Sequence, residues 1–301
     1  MTTNNSNAIA NILLVIVTLL AACGWLFSKY TLAVMTPLLF LSIRFILAGM
    51  IVGVVDIKAI CQLSTKNVVN IIITGALLGV QTSLWGIGLY YAEHLGIGAF
   101  LISLSFLLIP VIGMLFGLPV QKSTWFALAI ATIGLLLLCI RDGFHWQLSD
   151  GYFLMSTLLY AFYFNLNGRL SAHIPAIPLT ACQLIVAGAV CFLGYWFFES
   201  DIAFSLDAIY PVLAWLLASI FIATSLRFFI LVKALSMAPK AQGALIMILE
   251  PVWVTLLGMI FFGEQLSSQE ILGMGFISLA LLVNTGVFIR FIKLSAKAKY
   301  S

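Results

Sequence analysis

Glu250 and Pro251 stand side by side inside an apolar run from Ala241 to Phe262. A carboxyl at membrane depth is expensive, and such groups mark substrate or ion paths. Proline removes a backbone donor and frees a carbonyl one turn earlier. The pair therefore reads as a polar, locally opened point. Glu250 is the candidate to carry a coupling proton or to meet a substrate ammonium group. A structural carboxyl bonded to a neighbouring helix is the plain alternative. Two other charges, Arg227 and Arg44, also lie inside apolar runs. Arg227 is placed either to clamp a substrate carboxylate or to extend toward the headgroups beside Lys233. Arg44, about two turns into its run, reads as a structural or gating group. Its expected partner is a carbonyl or Glu93.

Aromatic and hydrogen-bonding residues recur at helical spacing around these charges. Tyr160, Tyr163 and Asn167 share one helical face. Gln242 and Trp253 lie about three turns apart, with Glu250 just beside their face. Trp85 follows the sequence Thr82-Ser83-Leu84, and Arg227 follows Thr224-Ser225-Leu226. The expected substrate-contact set is Trp85, Tyr160, Tyr163, Thr224, Arg227, Gln242, Glu250 and Trp253. Bundle packing is the alternative reading for the aromatic stripe. Pro110 and Pro251 are the candidate hinges, against the alternative of static kinks. Gly49 with Gly53, Gly75 with Gly79 and Gly113 with Gly117 have the spacing of close helix contacts.

Enzyme and channel chemistry find no foothold in the sequence. His94, His145 and His173 are isolated near run ends, and no His-Glu-x-x-His or Gly-x-Ser-x-Gly occurs. No ring of charge or carbonyl-filter motif suggests a channel. The five cysteines form no Cys-x-x-Cys pair, so no metal, cofactor or disulfide framework is expected. The remaining function is binding and moving a solute.

The composition demands a bilayer. The chain of 301 residues is 63% hydrophobic and 8% charged, with a mean hydropathy of +1.18. A soluble domain cannot cover that much apolar surface. The net charge of +4 is too small to suggest nucleic acid. Apolar runs of spanning length fall at about 9–28, 37–55, 68–91, 96–117, 124–140, 151–170, 178–198, 209–232, 241–262 and 270–290. The fold class is thus all-α integral membrane, with ten transmembrane helices. The first run is read as a retained helix, since no Lys or Arg precedes it.

Charge orients the bundle. With a cytoplasmic N-terminus, Lys58, Lys66, Lys122, Arg169, Lys233, Lys240, Arg290, Lys293, Lys297 and Lys299 all fall inside. Only Lys29 and Arg141 fall outside. The positive-inside rule therefore puts both termini in the cytoplasm. Trp146, Trp196 and Trp215 near run ends read as interfacial anchors.

The two halves repeat. Ser42-Ile43-Arg44-Phe45 through Gly49 aligns with Ala181-Cys182-Gln183-Leu184 through Gly188, so Gln183 is the partner of Arg44. Trp85 aligns with Arg227, and Ile109-Pro110-Val111 with Glu250-Pro251-Val252. The matches come in order at nearly constant separation, which chance apolar runs would not give. Five helices per half force the second half to enter from the opposite side. The expected organisation is an inverted-topology pair, residues 1–145 and 146–301, with its site near the midplane between halves.

The segment from Gly88 to Pro110, and that from Ala234 through Leu249-Glu250-Pro251-Val252 to Gly263-Glu264, resemble the EamA branch of the drug/metabolite transporter superfamily. Arg44-Phe45 matches that family's arginine early in its second helix. The first half departs from the pattern, with Gly117-Leu118-Pro119-Val120-Gln121 where many members carry Gly-Glu. The resemblance implies a monomeric ten-helix carrier in the cell membrane, a bacterial inner membrane. Such a carrier most often exports amino acids or related metabolites, with protons as a candidate coupling ion. Lipophilic cations, drugs or nucleoside-like solutes are the alternative cargo. An intramembrane enzyme or channel is a remote one.

Overall fold

The computed structural model describes residues 2–117, 119–120, 122–139, 147–199, 206–237, 246–247 and 249–284. Among them every regular element is a helix. Backbone N–H and C=O groups find no water in hydrocarbon, so an apolar chain satisfies them within its own helices. The helices are α1 (Thr2–Leu32), α2 (Pro37–Val54), α3 (Ile57–Cys61), α4 (Thr65–Tyr91), α5 (Leu95–Ser103), α6 (Ser105–Gly113) and α7 (Lys122–Cys139). They continue with α8 (Leu148–Leu170), α9 (Ala176–Phe198), α10 (Leu213–Ile220), α11 (Arg227–Met237), α12 (Leu249–Phe262) and α13 (Ser268–Asn284). Local signals start and stop them. Pro37 opens α2, and the Ser64 hydroxyl accepts the Asn67 N–H at the start of α4.

Six stretches are long and apolar enough to cross a bilayer: Ile9–Leu32, Pro37–Val54, Thr65–Tyr91, Leu95–Phe116, Ala176–Phe198 and Ile209–Ala234. The protein is therefore an all-α, multi-span membrane protein. The other four of the ten expected runs do not meet that standard among the described residues. Lys122–Leu137, Leu249–Phe262 and Ser268–Val283 are apolar but shorter. The eighth helix, α8, has the length but carries Asp150, Asn165, Asn167 and Arg169.

Small residues set the closest contacts. A Cβ on Gly49 of α2 would meet Ile185 Cγ1 at 2.8 Å and Ala181 O at 2.9 Å on α9. A Cβ on Gly188 of α9 would meet Ile46 Cγ1 at 2.7 Å and Ser42 O at 3.0 Å on α2. The contact is reciprocal and antiparallel, and its partners are residues aligned in the sequence repeat. Gly75 and Gly79 bring α4 onto Val186, Ala187 and Val190 of α9 in the same way. Gly117 behaves differently from the spacing expectation. Its φ is +77° and nothing lies near its missing side chain, so it ends a helix rather than packing one.

The proline positions also differ from expectation. The fourth span breaks at Leu104, between α5 and α6, whereas Pro110 lies inside α6. Pro251 lies in the first turn of α12, after a turn at Met247. Proline costs little there, because first-turn N–H groups have no intrahelical acceptor. The Glu250 N–H donates to Met247 O at 3.1 Å.

Between α10 and α11 the chain makes a π turn over Phe221–Leu226. The Thr224 hydroxyl donates to Ser219 O at 2.8 Å and the Ser225 hydroxyl to Ile220 O at 2.9 Å, each five residues back. Such bulges cluster at functional sites. This one stands directly before Arg227.

Candidate functional site

Two adjoining cavities of about 180 and 250 Å³ occupy the middle of the bundle. Arg44, Gln81, Thr82, Trp85, Tyr160 and Arg227 line both. Trp25, Ser105 and Glu250 add to the first. Tyr163 and Thr224 add to the second. Six of the eight expected contact residues therefore face one central space: Trp85, Tyr160, Tyr163, Thr224, Arg227 and Glu250. Trp253 lines neither cavity and packs against the main apolar core. Gln242 lies outside the described residues.

Each charged group is held differently. Arg44 is 7% exposed. Its Nε donates to Thr224 Oγ1 at 2.9 Å and its Nη1 to Ser28 Oγ at 2.9 Å. Phe40 and Phe45 lie 5.8 and 5.7 Å from the guanidinium carbon. No Arg44–Glu93 pair forms. Glu93 is exposed at the end of the bundle and accepts from Gln147 Nε2. The Arg44 side chain turns inward instead, because hydroxyls on α1 and the π turn satisfy it there. Glu250 accepts a long bond, 3.4 Å, from the Trp25 indole. Arg227 stands near enough to act electrostatically on both Glu250 and Arg44. It lines both cavities.

The surrounding wall is aromatic and hydroxylic. Trp25 meets Trp85 edge-on, with ring centroids 5.1 Å apart. Tyr160 and Tyr163 lie 6.0 Å apart on α8. Gln81 donates to Ser156 Oγ at 2.7 Å and so ties α4 to α8. Ser105 Oγ is buried without a hydrogen-bond partner and faces the first cavity. Sequence reasoning missed Gln81, Ser28 and Ser105. Neutral polar residues scattered through apolar runs were the only signal for them.

Gln183, the repeat partner of Arg44, repeats its geometry with neutral groups. Its Nε2 donates to Asn167 Oδ1 at 2.9 Å and Thr74 Oγ1 at 2.8 Å, while its Oε1 accepts from the Tyr163 hydroxyl at 3.1 Å. Ser28 precedes Asn167 by the same separation that divides Arg44 from Gln183. One half thus carries a charged clasp and the other an uncharged one.

At the end of the bundle where α2 and α5 begin, two carboxylates tie the loops down. Glu199 accepts from the Leu38 N–H at 3.1 and 3.3 Å. Glu264 accepts from the Leu95 N–H at 2.8 Å. Each caps a helix start that would otherwise hold orphan donors. Burial lifts both carboxyls above their ordinary range, against the opposing pull of those N–H bonds. Lys29 adds a third tie, donating to Leu89 O at 3.0 Å and Ala92 O at 2.6 Å at the end of α4.

Residues 147–286 match the model of the EamA-like transporter family. Over that segment, just under half of its length, the chain is similar to this family. It is a multi-pass membrane protein. A solved crystal structure matches 95% of the chain and 99% of its own length, at 18% identity and a TM-score of 0.63. That likeness concerns the fold alone. A search of curated proteins finds no match.

Proposed function

We propose that this protein is an EamA-type, proton-coupled exporter of amino acids or related small zwitterions. It works as a monomer by alternating access, from a ten-helix scaffold of two inverted five-helix repeats, residues 1–145 and 146–301. The observation that carries the substrate class is the charge balance of the central cavity. Two guanidinium groups, Arg44 and Arg227, face one carboxyl, Glu250. A bound carboxylate neutralises the excess positive charge, and Glu250 meets an ammonium group or a proton. Trp25, Trp85 and Tyr160 supply the aromatic wall for the side chain or for a cation. A lipophilic cation would add to the positive charge that one carboxyl, Glu250, leaves in excess.

The reciprocal Gly49 and Gly188 contacts and the matched clasps of Arg44 and Gln183 support the repeat. The ties made by Lys29, Glu199 and Glu264 fit a state closed at the outer end. Pro110 and Pro251 remain the proposed hinges, with Leu104 and the π turn as the irregular points beside them.

Counterflow in proteoliposomes, loaded with one amino acid and challenged with a panel of amino acids, nucleosides and quaternary amines, tests the proposal. Exchange of zwitterions is expected. Exchange of quaternary amines alone refutes the substrate class, and no exchange of any solute refutes carriage. In E250Q, loss of the dependence on a pH gradient is expected. An unchanged dependence removes Glu250 as the proton carrier.

A further inference from the structure

A third cavity, of about 610 Å³, opens between the start of α4 and the end of α8. It shares no lining residue with the two central ones. Three basic side chains line it, Lys66, Arg169 and His173, together with the amides Asn67 and Asn70. No carboxylate does. Lys66 is the second residue of α4 and Arg169 the next-to-last of α8, so both stand at helix ends, the level of headgroups.

One of these bases is pre-positioned. Arg169 Nη2 donates to Phe116 O at 3.2 Å, and its guanidinium carbon lies 4.6 Å from the Phe116 ring centroid. The ring and carbonyl hold the fork while its other N–H groups remain for a ligand. Apart from Thr74, the rest of the wall is apolar and includes Ile73 and Leu170. Ile73 is 56% exposed, and Ile72 and Val69 beside it are 49% and 50% exposed. In a multi-span protein such an uncovered apolar helix face meets lipid chains. The cavity thus joins a basic, acid-free mouth to a lipid-facing groove.

We propose that this cavity binds an anionic phospholipid. The phosphate meets Lys66, Arg169 and His173, the headgroup hydroxyls meet Asn67 and Asn70, and one acyl chain lies along α4 past Ile73. Arg provides paired donors that match phosphate oxygens, and basic pockets between spanning helices take anionic headgroups. A zwitterionic lipid lacks the net negative charge that the cations Lys66 and Arg169 attract.

Native mass spectrometry of the purified full chain tests this, with dioleoyl phosphatidylglycerol, dioleoyl phosphatidylcholine and inorganic phosphate as separate probes. Phosphatidylglycerol is expected to bind and phosphatidylcholine not. Lys66→Gln should weaken binding about fivefold, and Lys66→Gln with Arg169→Gln roughly twenty-fivefold. Lys66 is exposed, so its single variant tests the site even where the double variant does not fold, and R169K should restore part of the loss. Equal binding of the two lipids, or phosphatidylglycerol binding unchanged in K66Q, overturns the proposal. Inorganic phosphate binding with the same sensitivity to K66Q overturns the lipid assignment in favour of a soluble anion. Binding is read without transport, so a failure here leaves the proposed export standing, and the reverse.

Discussion

The clasp around Arg44 gives the sharpest test of how the cavity is built. Thr224 holds two bonds with one hydroxyl: it donates to Ser219 O within the π turn and accepts from Arg44 Nε. Thr224→Val keeps the shape and removes both. A hydrogen bond to a charged group contributes about 1.5–3 kcal/mol in soluble proteins. Inter-helix bonds in a bilayer average about 0.6 and reach about 1.7 kcal/mol. Arg44 is charged and 7% exposed, with no carboxylate partner among the described residues. That places the bond near the top of the bilayer range, about 1.5 kcal/mol. Losing the Ser219 contact adds about 1 kcal/mol. T224V alone should therefore cost roughly 2.5 kcal/mol. In an R44M background it should cost only about 1 kcal/mol, because the Arg44 bond is already gone. The coupling of about 1.5 kcal/mol is the quantity to measure. Equilibrium unfolding in graded mixtures of denaturing and mild detergent, followed by helical circular dichroism, gives all four stabilities. A coupling below about 0.3 kcal/mol would refute the clasp, because errors of additivity alone reach that size.

Three further outcomes are expected. Burial raises the Glu264 carboxyl above its unfolded value of about 4.5, so the folded state binds that proton more tightly; stability at this site falls as pH rises from 4.5 through the folded value. Thermal unfolding from pH 4.5 upward should therefore show a shallower decline in E264Q than in the wild type, and identical slopes would rule Glu264 out. Gly188→Ala drives a Cβ to 2.9 Å from Ile46 N and 3.0 Å from Ser42 O, backbone atoms that cannot step aside; it should cost about 1–3 kcal/mol, whereas Gly275→Ala, which meets nothing, should be neutral or slightly stabilising in the same unfolding assay. Thiol labelling of Arg227→Cys should be slowed by a transported amino acid, and labelling that no substrate slows would take Arg227 out of the binding site.

How much of this was legible in the sequence depended on cost. Charges in apolar runs are costly, so Glu250, Arg227 and Arg44 announced themselves, and all three line the first cavity. For Arg44 the sequence offered a carbonyl or Glu93 as the partner. Its real partners, Ser28 and Thr224, are hydroxyls 16 and 180 residues away. Hydroxyls are common in apolar helices and carry no distinctive spacing. Ser105 and Gln81 were missed for the same reason. Trp253 fitted the helical face that the sequence defined, yet α12 turns that ring into the core, because a face shared along one helix does not say which neighbour covers it.

The amino-acid sequence by itself determined that the chain lives in a bilayer and that its elements are helices. Those follow from composition, run length and order, which are local or additive quantities. Only the tertiary structure decided where the helices break and which polar groups meet. Proline marked two weak points, but the fourth span broke at Leu104, ahead of Pro110. The π turn before Arg227 had no sequence mark at all. Such choices rest on which distant donor or acceptor lies within 3 Å of a freed backbone group, and that distance exists only once the helices have packed.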